Sequence, residues 1–419
     1  MMTPPQTTRT ADADAAAREF ALEGCVVSAR PYGAGHINDT YMIETAAIAA
    51  SNDNDDDGDD TRKSSCRRRY ILQRINSDVF RRPIEVMENV VRVCNHARSR
   101  LVAAGAPDAD RRALRLVPTR AAAAAVVEEE EGTGTVDQAT MGPGGDRRRP
   151  RWWHVDDSGD YWRCYHHVPN ATGHEVASSP EQARSAAMAI GNFQSLLSDL
   201  PRDTRLHETI RDFHDTPRHL ERLHIAVYDD AMGRASSART EIEFALSRVD
   251  DASVLVNALR DGILPERVVH NDAKIGNVLL DDETNDGVCV VDLDTVMMGT
   301  VLYDFGDLVR TSTSSAPEDE VDLSRVTMRF DMFEALVGGY IDSTRDFLTS
   351  EERSFLPFSG KLITFEIGLR FLTDYLEGDG YFKVDRPGHN LDRARVQFRL
   401  VESIEEQMSE MQALVDGIV

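Results

Sequence analysis

Apolar and polar residues alternate with the two-residue period of β-strands in the first part of the chain and follow a helical period in the second. Between residues 19 and 165, runs rich in β-branched and aromatic residues lie between turn residues and predict strands. The runs cover residues 25–27, 38–43, 70–75, 152–155 and 161–165. One helix is predicted from Pro83, since proline at the first helical position loses no hydrogen bond. A mostly antiparallel sheet with one helix is expected.

Helices are predicted from Pro180 to the C-terminus, apart from a hairpin near residues 265–300. One of them, residues 361–377, is apolar over most of its surface and should therefore be buried. It nevertheless carries Glu366, Arg370 and Asp374 at i, i+4 spacing on one stripe. Buried charges need partners. Either the stripe satisfies itself, or it lines a polar cavity that would suit sugar hydroxyls.

Three segments break these patterns. Residues 1–18 are predicted to be a disordered tail, and the biased segments 46–69 and 120–150 are predicted to be disordered insertions that bury no core. Deletion of either insertion should therefore cost little.

The composition narrows the function classes. The chain has 419 residues, of which 41% are hydrophobic and 28% charged, as in globular proteins. No run approaches the ~18 apolar residues of a membrane span. The net charge of −25 lies mostly outside the two biased segments, and such a surface repels nucleic acid and anionic membranes. Five scattered cysteines and the lack of a secretory signal favour a reduced, cytoplasmic compartment.

The strongest chemical signal is the pattern H-x-D-x-x-x-x-N at His270–Asn277, followed by Asp292 after the apolar run 288–291. Phosphoryl transfer needs a carboxylate to accept a proton from the substrate hydroxyl, and ligands for Mg²⁺ on the nucleotide phosphates. Asp272 is the predicted base, and the ammonium group of Lys274 would reach the γ-phosphate. The alternative is a decorated hairpin turn without catalytic function.

The predicted metal ligands are Asn277 and Asp292, because hard cations prefer oxygen donors. Asp294 either binds a second Mg²⁺ or fixes the loop. Asp304 and Asp307 are expected to hold the catalytic loop through hydrogen bonds rather than to touch substrate.

The motif set resembles the aminoglycoside phosphotransferase and choline kinase superfamily, and several blocks resemble its N-acetylhexosamine 1-kinase group. Two of them are Phe213-His214-Asp215-Thr216 and Tyr303-Asp304-Phe305-Gly306-Asp307. The others cover residues 33–41, 70–76, 87–89, 270–277, 292–296 and 369–376. The resemblance implies an α+β, two-lobed protein-kinase-like fold, with a β-rich small N-terminal lobe and an α-rich large C-terminal lobe. It also implies ATP and Mg²⁺ as cofactors, and the anomeric hydroxyl of GlcNAc or GalNAc as the acceptor.

The same resemblance assigns roles to both lobes. Residues 19–168 would form the nucleotide-binding lobe, and residues 169–419 the catalytic and substrate-binding lobe. Gly33 and Gly35 would cover the nucleotide phosphates, although a plain hairpin turn would also use them. Sugar contacts would come from His36 and Arg370, together with Asp272.

One position departs from the superfamily, which usually places a lysine on the third strand, paired with a helix glutamate. This chain has Gln73 and Arg74 there. Arg74 could take the role with Glu85 or Glu88 as its partner, although a guanidinium binds phosphate differently from an ammonium group. His167 is expected in the lobe connection, where backbone groups would meet adenine.

Three functions remain open at this point. The leading one is a sugar 1-kinase that acts as a monomer on ATP and an N-acetylhexosamine, without nucleic acid or membrane partners. The second is a kinase for another small alcohol, such as choline, homoserine or an aminoglycoside. The third is a catalytically silent pseudokinase, which the intact Asp272, Asn277 and Asp292 disfavour.

Overall fold

The computed structural model describes residues 6–33, 37–47, 67–124, 152–201 and 205–418. The chain divides into two compact units. The first comprises Met1–Asn95 and Ala113–Pro169, and the second comprises His96–Arg112 and Asn170–Val419. Each is described by itself below.

The first unit is built on a five-stranded antiparallel sheet with the order β1-β2-β3-β5-β4. The strands are β1 (Cys25–Pro31), β2 (Asp39–Ala46), β3 (Arg68–Ile75), β4 (Trp153–Val155) and β5 (Tyr161–His166). The helix predicted after Pro83 is present as α2 (Pro83–Ala103). The expected sheet with one main helix is therefore confirmed.

The expectation of a disordered tail over residues 1–18 is wrong where the structure describes this segment. Residues Gln6–Ala17 form helix α1, and its Ala13, Ala16 and Ala17 are buried in a core with Phe20 and Trp162. Alanine has the highest helix propensity of any residue. The buried face of α1 consists of alanines, so the segment lacks the large apolar residues that usually mark a buried helix in a sequence.

Most of the two expected insertions, residues 48–66 and 125–151, lies outside the described residues. Strands β2 and β3 run up to the first of these two segments. Ala46 still pairs with Cys25, and Arg68 pairs with Thr45, so β2 and β3 extend into the interval 46–69 that was expected to lack structure.

The second unit is mainly helical. Its helices are α3 (Ala109–Arg112), α4 (Pro180–Leu197), α5 (Thr216–Asp229), α6 (Arg239–Leu246), α7 (Val249–Ala252), α8 (Val254–Arg260), α9 (Val301–Thr313), α10 (Phe330–Thr344), α11 (Ser350–Ser354), α12 (Leu356–Glu377) and α13 (His389–Gly417). Two small antiparallel sheets accompany them, β10-β7 and β6-β8-β9. Their strands are β6 (Ala171–Gly173), β7 (Arg267–Val269), β8 (Val278–Asp281), β9 (Gly287–Val290) and β10 (Met297–Gly299).

Helices α9 and α12 approach each other closely at two reciprocal glycines. A Cβ atom on Gly306 of α9 would lie 2.5 Å from the carbonyl oxygen of Ser359, and one on Gly360 of α12 would lie 2.7 Å from the side chain of Val309. Neither position has room for a side chain. Since α12 carries the charged stripe of Glu366, Arg370 and Asp374, this contact fixes the stripe next to α9.

The predicted burial of residues 361–377 is confirmed, because most side chains of α12 are inaccessible to solvent. Across the described ranges, none of the helices combines the length and apolarity needed to cross a bilayer.

Candidate active site

The loop between β7 and β8 carries the predicted base, and its backbone is held by Asp304 of α9. The backbone N–H groups of His270 and Asn271 donate to the two oxygens of Asp304, at 2.9 and 2.7 Å. Gln194 donates to the same carboxylate at 2.7 Å, and the Tyr340 hydroxyl donates to Gln194 at 2.6 Å. Asn271 adopts a left-handed conformation with φ of 66°. Asp304 thus holds the loop through hydrogen bonds, as expected, whereas Asp307 accepts a hydrogen bond of 2.8 Å from Nε of Arg310.

Asp272 is the centre of a compact polar group. Lys274 Nζ donates to Asp272 Oδ2 at 3.0 Å, and Asn277 Nδ2 donates to the same oxygen at 3.0 Å and to the Asp272 carbonyl at 2.7 Å. Burial raises the pKa of the Asp272 carboxyl group, but the positive charge of Lys274 outweighs this effect and holds the pKa below its usual range. The carboxylate is therefore ionised and, with 27% of the side chain exposed, accessible as a proton acceptor.

Asp292 follows β9 directly and adopts a left-handed conformation with φ of 61°. Burial opposes the charge on Lys274, but the charges of Asp272 and then of Asp292 outweigh it and raise the pKa of Lys274 above the usual range. Lys274 thus interacts electrostatically with both carboxylates, and Asn277 is hydrogen-bonded to Asp272.

The donor atoms suit Mg²⁺. Asn277 commits its amide nitrogen to Asp272, so its amide oxygen is the atom available to a cation, and Asp292 supplies carboxylate oxygens. Nucleotide-bound Mg²⁺ usually takes only one or two protein carboxylates. Asp294 is 2% exposed, and its carbonyl accepts a hydrogen bond of 2.7 Å from the Thr209 hydroxyl. This bond ties the Asp294 backbone to the segment that precedes α5.

The charged stripe on α12 is not a self-satisfying ladder. Glu366 is buried and accepts hydrogen bonds from His214 Nδ1 at 2.8 Å and from the Thr216 hydroxyl at 2.6 Å. Asp374 accepts from three backbone N–H groups, of residues 380–382, and from Asn390. Arg370 forms no ion pair with any residue in the described ranges, and its guanidinium faces a cavity.

This cavity, called the Arg370 pocket below, has a volume of about 130 Å³. The guanidinium carbon lies 4.9 Å from the ring centre of Phe213 and 5.7 Å from those of Tyr381 and Phe382, within cation–π range. One guanidinium nitrogen lies 3.4 Å from the Tyr381 hydroxyl. The pocket walls also include His219, Arg222 and Thr373.

In the first unit, Arg74 has partners other than those expected. Its Nε donates to Asp39 at 3.0 Å and its Nη1 donates to Asp160 at 2.7 Å. Glu85 pairs instead with Arg82, at 3.0 Å. The expected pairing of Arg74 with Glu85 or Glu88 is therefore wrong, because the antiparallel register sets Asp39 directly opposite Arg74. Two carboxylates already neutralise this guanidinium.

Gln73 leads to a residue that the sequence reasoning missed. Its side-chain oxygen accepts a hydrogen bond of 3.0 Å from Nε of Arg163, which lies opposite it on β5 and is fully buried. Burial raises the pKa of the Cys94 thiol on α2 to about 12, and the charge of Arg163 opposes this rise. The run Trp162-Arg163-Cys164 gave no signal, because two flanking apolar residues make it resemble an ordinary core strand.

The remaining nucleotide-side candidates are only partly described. Gly33 has a φ of 73°, which favours glycine at that turn, whereas Gly35 and His36 lie outside the described residues. Glu88 is half-buried on α2. The backbone N–H of His167 donates to the Arg69 carbonyl at 3.2 Å, and burial, followed by the Arg69 charge, lowers the pKa of its ring.

Comparison with known proteins assigns the family. The model of the APH phosphotransferase enzyme family matches residues 28–335, well over half of the chain. The chain belongs to this family. It is accordingly a phosphotransferase-family protein.

Solved structures of this group share its fold. A microcompartment-associated aminopropanol kinase is 17% identical, with a TM-score of 0.55 over 96% of this chain and 98% of that one. An aminoglycoside phosphotransferase from Alicyclobacillus acidocaldarius is 12% identical, with a TM-score of 0.54 over 100% and 98%. A spectinomycin phosphotransferase bound to ADP and spectinomycin is 10% identical, with a TM-score of 0.50 over 97% and 100%. At these identities the likeness establishes the α+β protein-kinase-like fold alone.

Proposed function

We propose that this APH-family protein uses ATP and Mg²⁺ to phosphorylate the anomeric hydroxyl of an N-acetylhexosamine, GlcNAc or GalNAc, and releases the sugar 1-phosphate. The observation that carries the substrate class is Arg370, a guanidinium that has no ion-pair partner in the described ranges and that faces the Arg370 pocket. Phe213 lines this pocket, and the next residue, His214, hydrogen-bonds the carbonyl group of Asn271.

In the proposed reaction, the Asp272 carboxylate accepts the proton of the anomeric hydroxyl as that oxygen attacks the γ-phosphorus of ATP and ADP leaves. Lys274 orients Asp272 and stabilises charge on the transferred group. Asn277 and Asp292, with Asp294 as a further candidate, would hold Mg²⁺, which supplies charge neutralisation on the phosphates. A reducing sugar suits a single carboxylate base, because its anomeric hydroxyl is comparatively acidic.

The Arg370 pocket favours a neutral, oxygen-rich acceptor. A guanidinium offers five N–H donors and no acceptor, and hydroxyl and acetamido oxygens are matching acceptors. The three rings that would otherwise attract a substrate ammonium already face this guanidinium. A cationic alcohol such as choline or an aminoglycoside would meet a like charge. Another neutral alcohol is the second candidate, and His36 is the other proposed sugar contact.

On the nucleotide side, we propose Gly33 and Gly35 as the turn that covers the phosphates, and His167 as the backbone contact for adenine. Arg163, fully buried and hydrogen-bonded to Gln73, is proposed in place of Arg74 as the cation on the nucleotide side, with Glu88 on α2 as its partner. Its support is this hydrogen bond, because Gln73 is one of the two residues that stand where the superfamily usually has its third-strand lysine.

The test is to incubate the protein with ATP, Mg²⁺ and a panel of GlcNAc, GalNAc, other hexoses, choline, homoserine and aminoglycosides. We expect turnover of GlcNAc or GalNAc and a product that mild acid hydrolyses, since a glycosyl 1-phosphate breaks down through an oxocarbenium ion. An acid-stable sugar phosphate would contradict the 1-kinase assignment. Preference for choline or homoserine would contradict the sugar assignment and leave the kinase intact.

A further inference from the structure

The peptide group between Asn271 and Asp272 is held at both ends by imidazole rings. Its carbonyl oxygen lies 2.8 Å from His214 Nε2, and its N–H group donates to His270 Nδ1 at 3.2 Å. This peptide group directly precedes the proposed base, so its orientation sets the direction in which the Asp272 side chain leaves the backbone. The partners of each ring determine its protonation state.

His270 is the neutral ring. Its Nε2 lies 2.9 Å from the carbonyl oxygen of Val291, an acceptor, so this nitrogen carries a proton and donates. Its Nδ1 faces the backbone N–H of Asp272, a donor, so this nitrogen carries a lone pair and accepts. Both contacts are satisfied only by the tautomer protonated at Nε2.

His214 is the charged ring. Its Nε2 faces the Asn271 carbonyl and its Nδ1 faces Glu366 Oε1, each at 2.8 Å, and both partners are acceptors. A neutral imidazole has one N–H group and would leave a lone pair against one of these oxygens. The Thr216 hydroxyl donates to the other oxygen of Glu366, which stays ionised.

Titratable groups on helices α5, α9 and α12 surround His214, and they act on its charge in opposite directions. The Tyr303 ring from α9 stacks on it with centres 4.6 Å apart. His219 of α5 lies 4.0 Å from Glu366, and Arg370 lies one turn along α12. Burial and Arg370 favour the neutral ring, but the buried Glu366 carboxylate outweighs them and raises the pKa of His214.

We propose that His214 is a positioning residue that works as a permanent imidazolium, tying the carbonyl group before Asp272 to Glu366 on the helix that bears Arg370. The inference rests on the proposed role of Asp272 as base. If His214 lost its charge, the hydrogen bond to the Asn271 carbonyl would be lost. The Asp272 carboxylate would then move away from the acceptor hydroxyl. Small displacements of a catalytic group reduce turnover by up to about a hundredfold. The binding of ATP would be unchanged.

The discriminating variant is Glu366→Gln. Its amide oxygen can still accept from His214 Nδ1, but the ring loses its counter-charge and should lose its proton near the usual histidine pKa of about 6.5. We expect kcat of the variant to match the wild type near about pH 6 and to fall about tenfold by about pH 8, one unit or more above that pKa. The wild type should show no such decline, and KM for ATP should not change.

Glu352→Gln is the matched control. Glu352 is also a fully buried carboxylate of the second unit, but its partner is Arg267, at 2.7 Å. This variant should lose stability without acquiring a pH-dependent decline in kcat. Parallel pH profiles for Glu366→Gln and the wild type would overturn the proposal.

An independent readout does not need turnover. In protein labelled with ¹⁵N-histidine, both ring nitrogens of His214, assigned by their absence in His214→Gln, should remain protonated at about pH 8, above the usual histidine pKa. An unprotonated ring nitrogen on His214 at neutral pH would overturn the proposal. If the protein fails to phosphorylate GlcNAc or GalNAc, the proposed function fails, and this measurement still decides the state of His214.

Discussion

Lys274 Nζ and Asn277 Nδ2 both donate to the same oxygen of Asp272, each at 3.0 Å. Two donors on one oxygen leave Oδ1 of Asp272 as the atom that would accept the proton in the proposed reaction. The carboxylate is thereby fixed in orientation before any substrate arrives, which lowers the reorganisation that the reaction requires.

Replacement of Asp272 by asparagine should reduce kcat by ~10² or more, the usual share of general base catalysis. Asparagine keeps the shape but cannot accept the proton, so the affinity for ATP should survive. Steady-state kinetics and nucleotide titration measure the two effects. Asp286→Asn, an exposed change on the neighbouring hairpin, is the control and should behave as the wild type. Near-normal kcat in Asp272→Asn would refute the assignment of the base.

Replacement of Asp292 by alanine should abolish most activity and raise the Mg²⁺ concentration needed for the remainder, because a hard cation loses a carboxylate ligand. Activity measured across a Mg²⁺ series tests this. Asp294→Ala separates the two roles left open for Asp294. A metal ligand would shift the Mg²⁺ dependence, whereas a residue that only fixes the loop would lower the melting temperature alone. Unchanged Mg²⁺ dependence in Asp292→Ala would count against the assignment.

Arg370→Ala should raise KM for GlcNAc by roughly ten- to a hundredfold, the size expected for a lost hydrogen bond to a charged donor. KM for ATP should stay the same. Arg222→Ala is the matched control, since Arg222 lines the same pocket but its guanidinium is paired with Glu377. Removal of the Arg370 charge should also allow measurable turnover of choline. An equal rise in both KM values would argue against a sugar contact.

Arg163→Met should raise KM for ATP by about tenfold, the loss expected for one charge-assisted hydrogen bond, and Arg163→Lys should restore part of the affinity. Arg74→Met should leave KM for ATP nearly unchanged, because Asp39 and Asp160 already occupy that guanidinium. Melting temperatures of all three variants control for unfolding, since Arg163 is fully buried. The opposite ranking of the two methionine variants would return the phosphate-binding role to Arg74.

The sequence predicted those parts of the candidate site whose residues lie close together in the chain. The spacing from His270 to Asn277 and the strand before Asp292 identified four candidate side chains, since they lie in one loop and at the end of the hairpin that follows it. The strands and the burial of residues 361–377 also followed from period and composition. Each of these features depends on residues that are near one another in sequence.

Features that depend on distant residues were not predictable in this way. His214 and Glu366 are 152 positions apart, and no spacing rule links them. Arg74 pairs with Asp39, which the strand register sets opposite it, and with Asp160, which lies 86 positions away in the chain. Helix α1 was missed for a different reason, because its buried face consists of alanines and carries little hydrophobic signal.

The reciprocal contact of Gly306 and Gly360 has a consequence for the evolution of this protein. Helix α9 carries Asp304, which holds the catalytic loop, and α12 carries Arg370, which faces the pocket. With the two helices in contact at glycine, they cannot approach each other further, and a larger residue at either position would push them apart. If the Arg370 pocket holds the acceptor as proposed, a descendant that takes a longer or shorter alcohol has to change the side chains around the pocket, such as Phe213, Tyr381 and Phe382, and leave the helix crossing as it is.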